Sequence, residues 1–159
     1  MTASAEGRQA NIDVMNRYCH ALDTRDWDLL RSLFTEDMSF AGRLCVRGAP
    51  EPDAVSQEGR EAFISMLIYI WEGLEGTQHM VSNHMVDLAP DGQSAKVSCY
   101  IRAYHGGSGA RAHMFEESLG RFDVQTVLEG EDWKIRRLEE SMFVILGSME
   151  VLAGPAPTA

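Results

Sequence analysis

Asp23, His79 and His105 are the side chains in this sequence best suited to moving protons near neutral pH from an apolar setting. An imidazole beside a carboxylate can take a proton from carbon or return one to oxygen. Asp23 falls just after the apolar periodicity of the first helix ends at Leu22. A helix C-terminus disfavours a carboxylate, so Asp23 either has a specific partner or is satisfied by the backbone of its own turn. Tyr18 lies five residues earlier on the broad buried face, where its hydroxyl needs a partner, although most such tyrosines serve structure. His79 opens a strand and shares a face with Val81 and Asn83, while His84 faces the other way. The apolar parity then changes towards Val86 and Leu88, which predicts a bulge. A lone strand histidine can equally be a hydrogen-bonded structural residue. His105 ends the apolar row Val97, Cys99, Ile101 and Ala103, so it either faces a pocket with them or frays into solvent beside the His105–Gly109 run HGGSG.

The elements that must position these groups follow from periodicity. Ile12, Met15, Cys19 and Leu22 mark one face of a helix from about Gln9 to Thr24, widened by Val14, Tyr18 and Ala21. Asp26 is a plausible N-cap for a short second helix that buries Trp27, Leu30, Leu33 and Phe34. Met38–Arg47 alternates weakly as a strand, and Gly48–Glu58, with two prolines, reads as a loop and candidate lid. Phe63, Met66, Leu67, Ile70, Trp71 and Leu74 form the stripe of a third helix from Arg60, ended by Gly73 and Gly76. Strands follow at Gln78–Leu88, Ala95–His105, Ala112–Leu128 and Trp133–Val144, with turns at Asp91-Gly92, Gly106–Gly109 and Glu129–Asp132. Helices first and antiparallel strands afterwards make an α+β domain. Its sheet must curl around the helices, which leaves a cavity as the default ligand site. The expected organisation is a flexible tail over 1–8, one domain over 9–150 and a flexible tail over 151–159.

Composition narrows the function. A formal net charge of −10 argues against nucleic acid and against an anionic membrane surface, and leaves small neutral molecules, cations or copies of the chain as partners. Three widely spaced cysteines, Cys19, Cys45 and Cys99, fit unpaired thiols in a reducing compartment, and Cys19 and Cys99 sit in apolar patterns. The apolar runs Met66–Trp71 and Met142–Leu146 are too short to span a bilayer, and no signal pattern opens the chain, so a cytoplasmic protein is expected. The five histidines show no metal-binding spacing, and no phosphate loop, nucleophile elbow or dinucleotide fingerprint is present.

Tyr18–Trp27 (YCHALDTRDW) with Leu30 and Phe34, Thr77–Asn83 (TQHMVSN), Gly120–Asp123 and Asp132–Ile135 together resemble the SnoaL-like proteins of the nuclear transport factor 2-like superfamily. The resemblance implies a cone-shaped α+β barrel, in which a curved antiparallel sheet wraps around N-terminal helices. Within that group the pattern is similar to scytalone dehydratase, bile acid 7-alpha-dehydratase and hexachlorocyclohexane dehydrochlorinase. These carry an Asp at the end of the first helix and a His at the start of a strand, which match Asp23 and His79. His105 falls about where the scytalone enzyme has a second His, and Tyr18 matches a Tyr of the bile acid enzyme. The Ser and Asn of the scytalone enzyme's third strand find no clean match; Asp123 is nearest but should face away. The implied activity is a cofactor-free lyase of dehydratase type. His79 would be the general base, oriented by Asp23, and Tyr18 or His105 would donate to the departing oxygen. Asn83, Met66, Ile70, Trp71, Val97 and Ile101 are the expected substrate contacts, for a hydrophobic, aromatic or polycyclic hydroxylated molecule. A carbon–carbon lyase releasing formaldehyde, an isomerase or polyketide cyclase, and a non-catalytic binding domain are the competing readings. The resemblance also implies a homodimer or homotrimer.

Overall fold

A computed structural model describes residues 2–45 and 55–155. The candidate lid is thus largely outside the described residues; of it, 55–58 forms a short strand. Helix α1 runs from Thr2 to Thr24, α2 from Trp27 to Ser32 and α3 from Arg60 to Trp71. Six strands, β1 (Phe34–Leu44), β2 (Val55–Glu58), β3 (Leu74–Leu88), β4 (Ser94–Gly107), β5 (Phe115–Glu129) and β6 (Asp132–Gly147), form one curved, unclosed sheet in the order β2-β1-β6-β5-β4-β3. The α+β class is the expected one, but the sheet is mixed, because β1 pairs parallel with β6 while every other pairing is antiparallel.

The apolar face of α1 is where the periodicity put it: Val14, Met15, Tyr18, Cys19, Ala21 and Leu22 are all buried. The helix starts seven residues before the predicted Gln9, at Thr2, since its first turns need no continuous apolar face to extend a formed helix. Asn11 is fully buried and ties α1 to the sheet by accepting from the Thr126 hydroxyl. Asp26 caps α2 as expected, accepting from Leu29 N at 2.9 Å. Phe34 is not helical. It opens β1, four residues before the predicted strand, and is fully buried there. Likewise α3 stops at Trp71, and Leu74 begins β3.

Bulges bend the sheet. One in β3, between Ser82 and Met85, is the predicted one, and Asn83 sits in it at φ 56°. Another lies between Leu119 and Gly120 in the β5–β6 pairing. A Cβ on Gly120 would meet Ser141 O at 2.2 Å, so the close approach of the two strands requires glycine there. The chain end is not free from residue 151 onwards: residues 149–152 make a 3-10 turn, Val151 is fully buried, and Arg111 holds the turn by donating to Glu150 O at 2.9 Å. Cys19 and Cys99 are buried core thiols, pushed up in pKa by burial, and Cys45 is exposed. No helix among the described residues is long and apolar enough to cross a membrane.

Gly120→Val is expected to destabilise the fold by about 1–3 kcal/mol in urea denaturation, the usual cost of overpacking. Gly76→Ala, where an added Cβ meets nothing within 4 Å, should stay within about 0.5 kcal/mol of the parent.

Candidate active site

The site is built at the corner where the end of α1, the end of α3 and the start of β3 converge. Two ties fix that corner. Trp71 Nε1 donates to Leu22 O at 2.9 Å, which joins α3 to the last turn of α1. Arg25, held in the left-handed region at φ 57°, donates from its guanidinium to Leu74 O at 2.6 Å, which joins the end of α1 to β3.

Asp23 thus emerges opposite Thr77 and His79. Its Oδ1 accepts from the Thr77 hydroxyl at 2.9 Å and faces His79 Nδ1 at 2.7 Å, and its Oδ2 accepts the backbone N–H of His79 at 2.8 Å. Burial would raise the Asp23 carboxyl, but the His79 side chain, the His79 N–H and the Thr77 hydroxyl outweigh it and hold the group below the usual carboxylate range. An ionised carboxylate only accepts hydrogen bonds, so Nδ1 carries the hydrogen and Nε2 is the free base. Burial lowers the His79 pKa, the neighbouring His105 lowers it further, and the Asp23 bond opposes both. The imidazole is therefore neutral at neutral pH, as a base must be.

Trp71 stacks on His79 with ring centroids 5.9 Å apart and planes 16° from parallel, and so limits the ring to one orientation. His105 meets His79 edge-on, with centroids 5.1 Å apart. Behind it, His105 Nδ1 lies 2.6 Å from Glu116 Oε2, and Glu116 is 1% exposed. Two imidazoles, each backed by a carboxylate, therefore face one another.

They open on a cavity of about 380 Å³, a size suited to a small organic molecule. Its polar lining is Tyr18, His79, His105, Glu116, Ser118 and Glu140, with Arg43 at the β1 wall. Its apolar walls come from Met66, Ile70 and Trp71 on α3, Phe122 and Met142 on the sheet, and Leu152 of the C-terminal turn. Among the described residues no three His, Cys, Asp or Glu side chains are grouped as a metal ion would need.

The structure brings together His79, Asp23, Tyr18, His105, Met66, Ile70 and Trp71. Three expected contacts are displaced. Asn83 is exposed, because the bulge turns it away from the His79 face. Val97 and Ile101 are each 2% exposed within the core cluster, since only the last member of the β4 row, His105, reaches the cavity. Asp123 faces outwards as expected and pairs with Arg121 at 2.8 Å. Sequence reasoning missed Glu116, Ser118 and Glu140. The signal was parity: Glu116 and Ser118 share the row of Phe122 and Val124, and Glu140 lies between Leu138 and Met142.

Burial raises Glu140 to about 7, helped by the Glu116 carboxylate. A folded pKa above the unfolded one means that this group's contribution to stability is full at low pH and lost as pH rises through about 7. Glu140→Gln cannot ionise, so it should melt above the parent at about pH 8 and lose most of that advantage by about pH 5. Calorimetry at the two pH values checks this, and a gap independent of pH contradicts it.

The solved structures similar to this chain share its fold. A provisionally named scytalone dehydratase from Novosphingobium aromaticivorans matches with TM-score 0.80 at 23% identity, covering 100% of this chain and 99% of its own. A provisionally named aromatic ring hydroxylase from the same organism matches at 0.78 and 23%, covering 93% and 97%. A hexachlorocyclohexane dehydrochlorinase from Novosphingobium barchaimii matches at 0.73 and 13%, covering 98% and 99%. No functionally curated protein is a significant match to the sequence. The model of the SnoaL-like domain matches residues 3–139, most of the chain, and the protein belongs to that family within the nuclear transport factor 2-like superfamily.

Proposed function

We propose that this protein is a cofactor-independent lyase of dehydratase type, acting on a small, hydrophobic, hydroxylated molecule. The observation that carries the reading is the Asp23–His79 pair, 2.7 Å apart, at the wall of an otherwise largely apolar cavity. His79 Nε2 takes a proton from a carbon next to a carbonyl or aromatic system. The electron pair of that C–H bond becomes the new double bond, and the carbon–oxygen bond on the neighbouring carbon breaks. Asp23 holds the Nδ1–H tautomer and stabilises the imidazolium as it forms. Tyr18 and His105 offer hydrogen bonds to the oxygen end of the substrate. Burial, then Glu140 and Cys19, push the Tyr18 phenol well above its ordinary pKa, so it donates a hydrogen bond without giving up its proton.

A largely apolar lining favours a neutral substrate, and Met66, Ile70 and Trp71 suit a flat ring. Similarity to structures named for dehydratase and dehydrochlorinase activities supports elimination as the reaction type. Exposed apolar residues on the sheet, among them Met80, Tyr100 and Phe143, support self-association. The facing His105–Glu116 pair favours a second reading, an isomerase, because a second imidazole could return the proton to a different carbon.

His79→Ala and Asp23→Asn should each lower turnover by about a hundred- to ten-thousandfold while circular dichroism stays unchanged. The assay is incubation with a panel of hydroxylated aromatic and polycyclic compounds, read by product mass. Loss of water supports the lyase, unchanged mass the isomerase, and near-parental turnover in either variant removes the pair from the chemistry.

A further inference from the structure

Glu140 has no role in the chemistry above, yet it lines the same cavity as His79. It projects from β6 between the buried Leu138 and Met142, opposite Phe122 on β5 and Gly42 on β1. Gly42 offers no side chain to cover it. Among the described residues no hydrogen-bond donor or cation is paired with its carboxyl. The Arg43 guanidinium in the cavity wall lies 4.0 Å from Glu139 instead. Polar groups in such sites are satisfied by protein, water or ligand, so an unpartnered carboxyl at the cavity wall is free to engage a substrate atom.

Three other polar groups of the wall already have roles. His79 is the base, His105 Nδ1 is held by Glu116, and Tyr18 keeps its proton. Breaking a carbon–oxygen bond to hydroxide is slow unless the oxygen is protonated as it leaves. We propose that Glu140 is the acid that protonates the leaving oxygen, so that substrate hydroxyl departs as water. The inference rests on the elimination reading. In the balanced step the C–H proton goes to His79 Nε2, its electron pair forms the double bond, the C–O bond breaks, and the oxygen takes the Glu140 proton. Imidazolium and carboxylate are left, and proton exchange through water resets both.

The groups bearing on Glu140 from neighbouring elements all fit that role. Glu116 on β5 repels a second negative charge, Tyr18 and Cys19 on α1 contribute no positive charge, and His105 on β4 is engaged by Glu116. With its pKa at about 7, the carboxyl carries a proton in a substantial fraction of molecules at neutral pH, unlike an ordinary glutamate.

Two arms test the proposal on the intact protein. The first needs no substrate: an infrared difference spectrum between about pH 6 and pH 8 should contain a protonated-carboxyl band that is missing in Glu140→Gln. Its absence from the parent overturns the proposal and leaves the His79 reading untouched. The second uses the aldol of benzaldehyde and acetone, a β-hydroxy ketone, and its acetate ester, which leaves without protonation. Release of the same conjugated enone is followed by ultraviolet absorbance. Glu140→Gln should lose about 100-fold in kcat on the alcohol but less than about tenfold on the acetate, whereas His79→Ala should lose about 100-fold or more on both. The fall in kcat above about pH 7 should also disappear in Glu140→Gln. Equal losses on alcohol and acetate, or an intact alkaline fall, overturn the role of Glu140 alone. Parent protein that releases enone from neither compound, or His79→Ala that matches it on both, overturns the elimination reading and the acid role with it.

Discussion

The Asp23 carboxylate is the point on which the site turns. It sits at the negative end of the α1 dipole, where an anion is unfavourable, and three donors from β3 compensate for that. Hydrogen bonds to a charged acceptor contribute about 1.5–3 kcal/mol each, enough to outweigh a dipole term of about 1 kcal/mol. The same contacts stitch helix to strand and leave His79 with one tautomer, one ring orientation and a neutral charge. The helix–strand junction and the state of the His79 ring are therefore set by a single cluster. The Trp71 tie to Leu22 and the Arg25 tie to Leu74 keep that cluster in register with α3 and β3.

The curved sheet supplies the chamber. Inward rows of β4, β5 and β6 are mostly apolar and bring His105, Glu116, Ser118 and Glu140 to the cavity wall. Those four groups line a cavity whose apolar walls come from α3, Phe122, Met142 and Leu152. Carboxylates serve three purposes here. Asp23 is ionised and orients the His79 ring, Glu116 backs the facing imidazole, and Glu140 is raised by burial and by the negative charge of Glu116.

Much of this was legible in the sequence, for identifiable reasons. Burial follows the strict alternation of β4 residue by residue, down to His105, and follows the α1 face except at Ile12, which is half-buried. The parity change in β3 announced its bulge. The unfavourable position of Asp23 pointed to a partner, and Thr77 and His79 supply it. What was not legible depended on pairing. The Leu30–Phe34 run reads as continued helix until Phe34 is seen beside Ile135 of β6. The parallel β1–β6 pairing leaves no mark on either strand. Glu116 and Glu140 show in the sequence only the parity of their rows; the register then sets Glu116 opposite His105 and Glu140 opposite Phe122. Asn83 was assigned to the pocket by a parity that its own bulge cancels.

The most direct measurement of the central claim is a nitrogen-15 NMR titration of the histidine rings in the parent and in Asp23→Asn. The account predicts that His79 is neutral at neutral pH, carries its hydrogen on Nδ1 with a strongly deshielded proton resonance, and loses that resonance in Asp23→Asn. A His79 ring found as imidazolium at neutral pH, or with its hydrogen on Nε2, would contradict it.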